Sequence, residues 1–355
     1  MIDQDRLLET FLNLVQIDNP SGEETAIARH VRGLLEALGL MVEEDSIHNL
    51  LARVPGEGEP LLFNAHMDSV APCLGVRPVV ASGIVRSGGD TVLGADDLAG
   101  VAAILEGVRA TLERGQPHRA AEILLTVQEE VGLRGAAAFD TSKLRSCEGF
   151  TLDSGGDFGR ITLGAPSQDS LHAMVIGRAA HAGIAPEQGI NAIVVAGRAL
   201  ADMPLGRIDH ETTANIGIIK GGDATNIVPP QVELWGEARS HDQEKLVEQI
   251  RAMVAALENA AREHMASVRV EVTHKYDAYR LAEDTPIVQR AVAVLRAMGV
   301  EPRFEISGGG SDVNIFVQRG LSVANLSVGY RANHSTNEHI AVPISCAPLR
   351  WLYDC

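Results

Sequence analysis

Two short apolar runs, PLLFNAH (residues 60–66) and AEILLTVQ (residues 121–128), most tightly restrict the folds open to this chain. Each is too short for a buried helix and reads as a core strand, apolar on both faces. Between them Leu98, Val101, Ala102, Leu105 and Val108 recur at helical spacing and predict a helix with one apolar face. Strand, helix, strand in that order calls for an α/β sheet with helices on its faces.

The same periodicity predicts helices over 5–16 and 26–38, the second stopped by Gly39. From about 166 to 280 the pattern changes. SLHAMVIGRA, ANIGIIKGG, VELWGEARS and VRVEVTHKY alternate like strands, with helices expected near 191–201 and 241–264. An α+β block between two α/β portions predicts an inserted domain, so the expected division is 1–165 and 281–355 for the main domain and 166–280 for the insertion. After it come a helix at 285–298, a strand at 303–306, the glycine turn SGGGSD (307–312) and the apolar strand LSVANLSVG. SGGGSD lacks the GKS/T ending of a P-loop and reads as a turn or a close backbone approach.

A formal net charge of −17, from 30 basic and 47 acidic side chains, argues against a nucleic-acid partner. Cys73, Cys147, Cys346 and Cys355 are too few and too scattered for a disulfide framework and form no CxxC pair, which suits a reduced, cytoplasmic protein. The N-terminal stretch carries acids where a secretory signal has bases, and no run of about 18 apolar residues offers a membrane span.

Chemistry-bearing residues stand where predicted strands end, the place where α/β sheets bind ligands. In NAHMD, His66 and Asp68 point the same way along extended chain, so Asp68 is expected to orient the imidazole while the other ring nitrogen binds a metal. In GADDLAG, one of Asp96 and Asp97 is expected to cap the following helix and the other to bridge metals. Glu129 and Glu130 follow AEILLTVQ; on extended backbone they point apart, so one is expected to bind a cation and the other to hold a proton near the same water. Asp153 ends another short apolar strand, and His334 lies in NHSTNEH with Glu338 and His339 close by. Two histidines and several carboxylates suit Zn²⁺, Co²⁺ or Mn²⁺ better than a thiolate site would. Carboxylates this dense repel one another unless cations lie between them, which predicts two divalent ions.

These residues in this order resemble the M20 family of dinuclear metallopeptidases, with the peptidase T branch nearest. GRAAHAGIAPEQGINA (177–192) resembles the histidine-bearing signature of that family's smaller domain, and GGDATNIVP its asparagine-bearing turn. TVQEEVGLRGA is also similar to the M42 aminopeptidases, which carry a different inserted domain, and the GRAAHAG and ATNIVP motifs favour M20. The resemblance implies a zinc-peptidase-like α/β catalytic domain with a central mixed sheet and an inserted α+β lid or dimerisation domain. It implies that His66 and Asp153 hold one metal, Glu130 and His334 the other, and Asp96 both. Asp68 orients His66, and Glu129 is the general base. His181 stabilises the tetrahedral intermediate, in cis or from a partner subunit, while Asn226 and Arg239 contact substrate. Leu98 departs from a common lysine, whose role is then lost or replaced.

The activity so implied is hydrolysis of short peptides by an aminopeptidase or tripeptidase-like enzyme, dimeric through the insertion. A lid closing over the metals would place hinges near Pro166 and Arg280. A carboxypeptidase or an N-acyl amino-acid amidohydrolase would use the same chemistry, and a surface salt bridge is an equal account of Arg239. A non-catalytic metal-dependent binding protein would be expected to lack the base, and Glu129 is present.

Overall fold

The computed structural model describes residues 2–342 and 344; Cys346 and Cys355 lie outside them. Cys73 is buried and Cys147 exposed, both as free thiols. The chain divides into two compact units. The first takes the residues up to Gly164, Arg280–Ser307 and those from Ser311 on; the second takes Ala165–Tyr279 and Gly308–Gly310.

The first unit is α/β, built on a nine-stranded mixed sheet among the described residues. Its middle is parallel: Arg119–Thr126, Glu57–His66, Glu148–Ser154 and Ser322–Ser327 lie side by side in that order. Leu61 to His66 are buried without interruption, as a strand covered on both faces requires. The register sets His66 opposite Thr126, so neighbouring strands end level and hand the chain to loops on one edge. Helix Gln4–Leu14 starts at Asp3, whose carboxylate accepts the Asp5 and Arg6 N–H groups (3.1 Å each), and buries Leu7, Phe11 and Leu14. Helix Thr25–Ala37 buries Ile27, Ala28, Val31 and Leu35.

Helix Ala95–Arg114 departs from the sequence expectation. It is buried on nearly every side down to Thr111 rather than on one face, because alanine and glycine let neighbours approach all round it. At Gly100 a Cβ would come within 2.6 Å of the Leu152 carbonyl oxygen and 2.4 Å of Asp97 Oδ1, so helix and strand meet backbone to backbone there. A smaller four-stranded sheet joins the hairpin Pro78–Ala81/Ile84–Ser87, missed in the sequence, to His339–Ala341 and Tyr330–Arg331. Of the described residues, no helix is long and apolar enough to cross a membrane.

The second unit is α+β: an antiparallel sheet in the order Gly206–Arg207, Thr212–Gly221, Gln231–Ser240, Ser167–Ile176, Ser267–Tyr276. Alternation along Ser167–Ile176 buries Leu171, Ala173 and Val175 against helices Ala192–Asp202 and Gln243–Glu263, which contribute Val195, Ala199, Leu246, Met253 and Leu257. Asn191 and Asp242 cap those helices through their side chains. The chain leaves and re-enters the first unit at neighbouring points, since the Leu281 N–H donates to the Leu163 carbonyl (2.7 Å).

Candidate metal centre

His66 ends its strand with an imidazole that is 2 % exposed. Its Nδ1 lies 2.9 Å from the main-chain carbonyl oxygen of Asp68, an atom that can only accept, so Nδ1 carries a proton. Nε2 is directed at Asp96 Oδ1 (3.3 Å) and Asp153 Oδ1 (3.8 Å). Asp68 thus orients the ring mainly through its backbone; its carboxylate stands 3.5 Å from Nδ1. That carboxylate does something the sequence did not suggest. It accepts the main-chain N–H groups of Glu129 (2.9 Å) and Glu130 (3.2 Å) and the Ser21 hydroxyl (2.6 Å), tying the two glutamates to the end of the His66 strand.

The expected division of Asp96 and Asp97 is corrected. Neither forms the helix cap: the amides of Leu93, Gly94 and Asp96 donate to the buried Glu338 carboxylate (2.8, 2.8 and 2.9 Å), while Asp97 Oδ2 accepts the His66 N–H (3.2 Å). The two oxygens of Asp96 face different histidines, Oδ1 towards His66 and Oδ2 towards His334 Nε2 (3.5 Å), the arrangement expected of a bridging carboxylate.

Glu129 and Glu130 also behave differently from the alternation of a strand. The strand stops at Thr126, Gln128 takes a left-handed φ of 53°, and both carboxylates turn into the same cluster. Glu130 pairs with His334 Nε2 at 3.0 Å. Asp153 is braced by Asn325, which accepts its N–H (3.1 Å) and donates to its carbonyl (2.6 Å). His334 sits in a tight loop in which both it and Ala332 have left-handed φ (57° and 53°), a backbone found where a site constrains it. His339 stays out of the cluster, donating from Nδ1 to the Asn337 carbonyl (2.9 Å).

Among the described residues three groups of ligand atoms form, each within 4.8 Å: His66, Asp96 and Asp153; Asp96, Glu130 and His334; and His66, Glu129 and Glu130. The electrostatics of these groups suit a cation. Burial first, and then the charge of Asp153, push Glu129 and Asp97 well above ordinary carboxyl values, and burial likewise raises Asp153 and Glu130. Burial opposes ionisation of Asp96 too, but hydrogen bonds from His334 and His66 win and hold it well below the usual range. Hydrogen bonds to Asp96 and Glu130 lift His334 to about 10. Burial alone would lower His66; contacts with Asp68 and Asp96 hold it well above 6.5. Protons are standing in for positive charge, and oxygen- and imidazole-rich groups of this size fit borderline divalent metals.

Sequence reasoning missed the neutral partners of these acids. The Tyr330 hydroxyl donates to Asp153 Oδ1 (3.1 Å), and Asn333 Nδ2 donates to Asp96 Oδ2 (2.7 Å). Asp312, the last residue of SGGGSD, is buried and accepts from Thr126 Oγ1 and from Asn64 Nδ2 (3.4 Å), behind the ends of two central strands. Only the position of Asn333 beside His334 offered a signal. Leu98 is fully buried and apolar, with no polar role.

His181, Asn226 and Arg239 belong to the second unit. His181 Nδ1 accepts the N–H groups of Gly183 and Ile184 (3.2 Å each), which leaves the proton of the neutral ring on Nε2, presented to solvent as a donor. The Asn226 carbonyl accepts the Ala182 N–H (3.0 Å), holding that turn beside His181. Arg239 forms a two-pronged pair with Glu237 (2.9 and 3.1 Å), and Glu237 also accepts from Gln168 Nε2 (2.6 Å).

Residues 164–265 match the family profile described as a peptidase dimerisation domain. The chain is 39% identical to a crystal structure of aminopeptidase PepT from Bacillus cereus, covering 99% of this chain and 98% of that one, with a TM-score of 0.82. It is 38% identical to a tripeptidase from Staphylococcus aureus, over 99% and 96% of the two chains, with a TM-score of 0.87. It is also 40% identical to the uncharacterized protein YqjE of Bacillus subtilis, over 96% and 95% of the two chains.

Proposed function

Because this chain belongs to the M20 peptidase family, we propose that it is a metal-dependent aminopeptidase acting on short peptides, tripeptides among them. The observation that carries the reading is local. Two ligand groups share Asp96, and Glu129, a buried carboxyl outside both, stands in the third group beside them. One ion is assigned to His66, Asp96 and Asp153, the other to Asp96, Glu130 and His334, with Zn²⁺, Co²⁺ or Mn²⁺ the fitting metals. When bound, such ions polarise the scissile carbonyl and lower the pKa of the attacking water.

The residues of the chain do the rest. Glu129 takes a proton from the water and returns it to the leaving amine, acting first as base and then as acid. Asp68 fixes the His66 tautomer and the Glu129–Glu130 backbone, so base and ligands keep a common frame. His181 offers an Nε2–H donor to the oxyanion as it forms, while Asn226 and Arg239 are assigned to substrate, Arg239 to a peptide carboxylate. The dimerisation profile supports a homodimer through the second unit, and the free thiols of Cys73 and Cys147 suit a cytoplasmic place of work.

The test uses metal-stripped protein reloaded with known equivalents of Zn²⁺, Co²⁺ or Mn²⁺ and offered leucine-containing di- and tripeptides with free or blocked ends. Turnover should peak near two equivalents and require a free N-terminus. Glu129→Gln should keep metal uptake and lose about 10²- to 10⁴-fold in kcat. Normal turnover by that variant would remove Glu129 from the mechanism, and hydrolysis confined to N-acylated substrates would make the enzyme an amidohydrolase.

A further inference from the structure

One loop touches three of the candidate ligands at once. Pairing of Tyr330 with Ile340 and of Arg331 with His339 closes it, and between them it carries Asn333 and His334. From this loop Tyr330 Oη–H reaches Asp153, Asn333 Nδ2–H reaches Asp96, and His334 enters a ligand group itself. We propose that Tyr330 and Asn333 are positioning residues with separate duties: Tyr330 sets Asp153 for the ion held with His66, and Asn333 sets the plane of Asp96 for both ions. The inference rests on the two-ion reading given above.

The chemistry of the donors supports the division. A carboxylate on a fixed backbone still rotates about its last bond, and a hydrogen bond to one oxygen stops that rotation while leaving lone pairs for a metal. Lysine or arginine would do the same but compete with the cation for the negative charge; a phenol and an amide do not. Tyr330 is well held for the task. It is 2 % exposed, its ring lies where a Cβ on Gly155 would be 2.8 Å from Cε2, and its carbonyl accepts the Gly156 N–H at 2.7 Å. With Asn325 bracing the Asp153 main chain, the hydroxyl fixes the remaining torsion. Asn333 donates to Oδ2, the oxygen of Asp96 that faces His334, and by locking the plane it also directs Oδ1 to His66. Tyr330 therefore donates its hydrogen bond to a ligand of one group, with Asp96 near enough to its hydroxyl to help burial raise its pKa, while Asn333 donates to the ligand that two groups share.

The test is calorimetric titration of Zn²⁺ into metal-stripped wild type, Tyr330→Phe and Asn333→Ala, with visible spectra of the Co²⁺ forms. The wild type should take up two equivalents. Tyr330→Phe, which removes one oxygen and keeps the ring, should weaken one of them by about 10- to 100-fold and leave the other in place. Its Co²⁺ spectrum should change in one component, and excess Zn²⁺ should restore most of its kcat. Asn333→Ala should weaken both equivalents. Two unchanged equivalents in Tyr330→Phe, or an equal loss at both, overturns the assignment even if Asn333→Ala fails to fold. A wild type that binds a single equivalent overturns the two-ion reading instead, so the two failures are distinct.

Discussion

Without a cation, both histidines and most of the buried acids of the centre hold protons more tightly than the unfolded chain would, Asp96 and Asp68 being the exceptions. Burial lifts Glu338 from 4.5 to about 7 and Asp312 from 3.8 to about 6, and carboxylate partners lift His334 from 6.5 to about 10. All three pKa values are higher in the folded state, so each contribution to stability is full below the unfolded value and lost as pH rises through the folded one. Chelated protein should therefore show a melting temperature that falls between about pH 5 and about pH 8, and saturating Zn²⁺ should flatten the fall. A melting temperature that rises with pH in the chelator would contradict this. His66, Glu129, Glu130, Asp153 and His334 stood out in the sequence because they follow predicted strands, and Asp96 because it opens a predicted helix. Tyr330 and Asn333 did not, since their partners lie 177 and 237 positions away and a neutral side chain carries no pattern of its own.

Among the elements, periodicity revealed the strands Glu57–His66 and Arg119–Thr126 and the alternating strands of the second unit, because burial on fixed faces leaves a trace in composition. It failed where geometry depends on distant neighbours. Helix Ala95–Arg114 read as amphipathic because small residues hide the closeness of what packs against them. Gly100 provides a direct check. Helix propensity alone favours Gly100→Ala by about 1 kcal/mol, yet the new methyl meets the Leu152 carbonyl. Denaturant unfolding should show a net loss of roughly 1–3 kcal/mol, the usual range for overpacking. Strand Thr212–Gly221 poses a different problem. Gly206–Arg207 pairs only with Thr213 and Ala214, so among the described residues the edge beyond them carries no neighbouring strand, and Ile219 is 51 % exposed there. If this edge serves the homodimer, Ile219→Lys should shift the protein towards monomer in analytical ultracentrifugation while metal uptake stays normal.

On the scale of the whole molecule, each unit has its own core, and the three candidate ligand groups all lie in the first. Scanning calorimetry with and without chelator should move one transition and leave a second, belonging to the Ala165–Tyr279 unit, within a few degrees of its place. Equal displacement of all the heat absorbed would mean that the units unfold together. The neighbouring crossing points at Leu163 and Leu281 have a consequence for descent. A gene that exchanged everything between them for the corresponding stretch of a cousin would break the chain at two sites already side by side. Recombination could thus replace that stretch as a cassette while every residue of the three candidate ligand groups stayed in its inherited place.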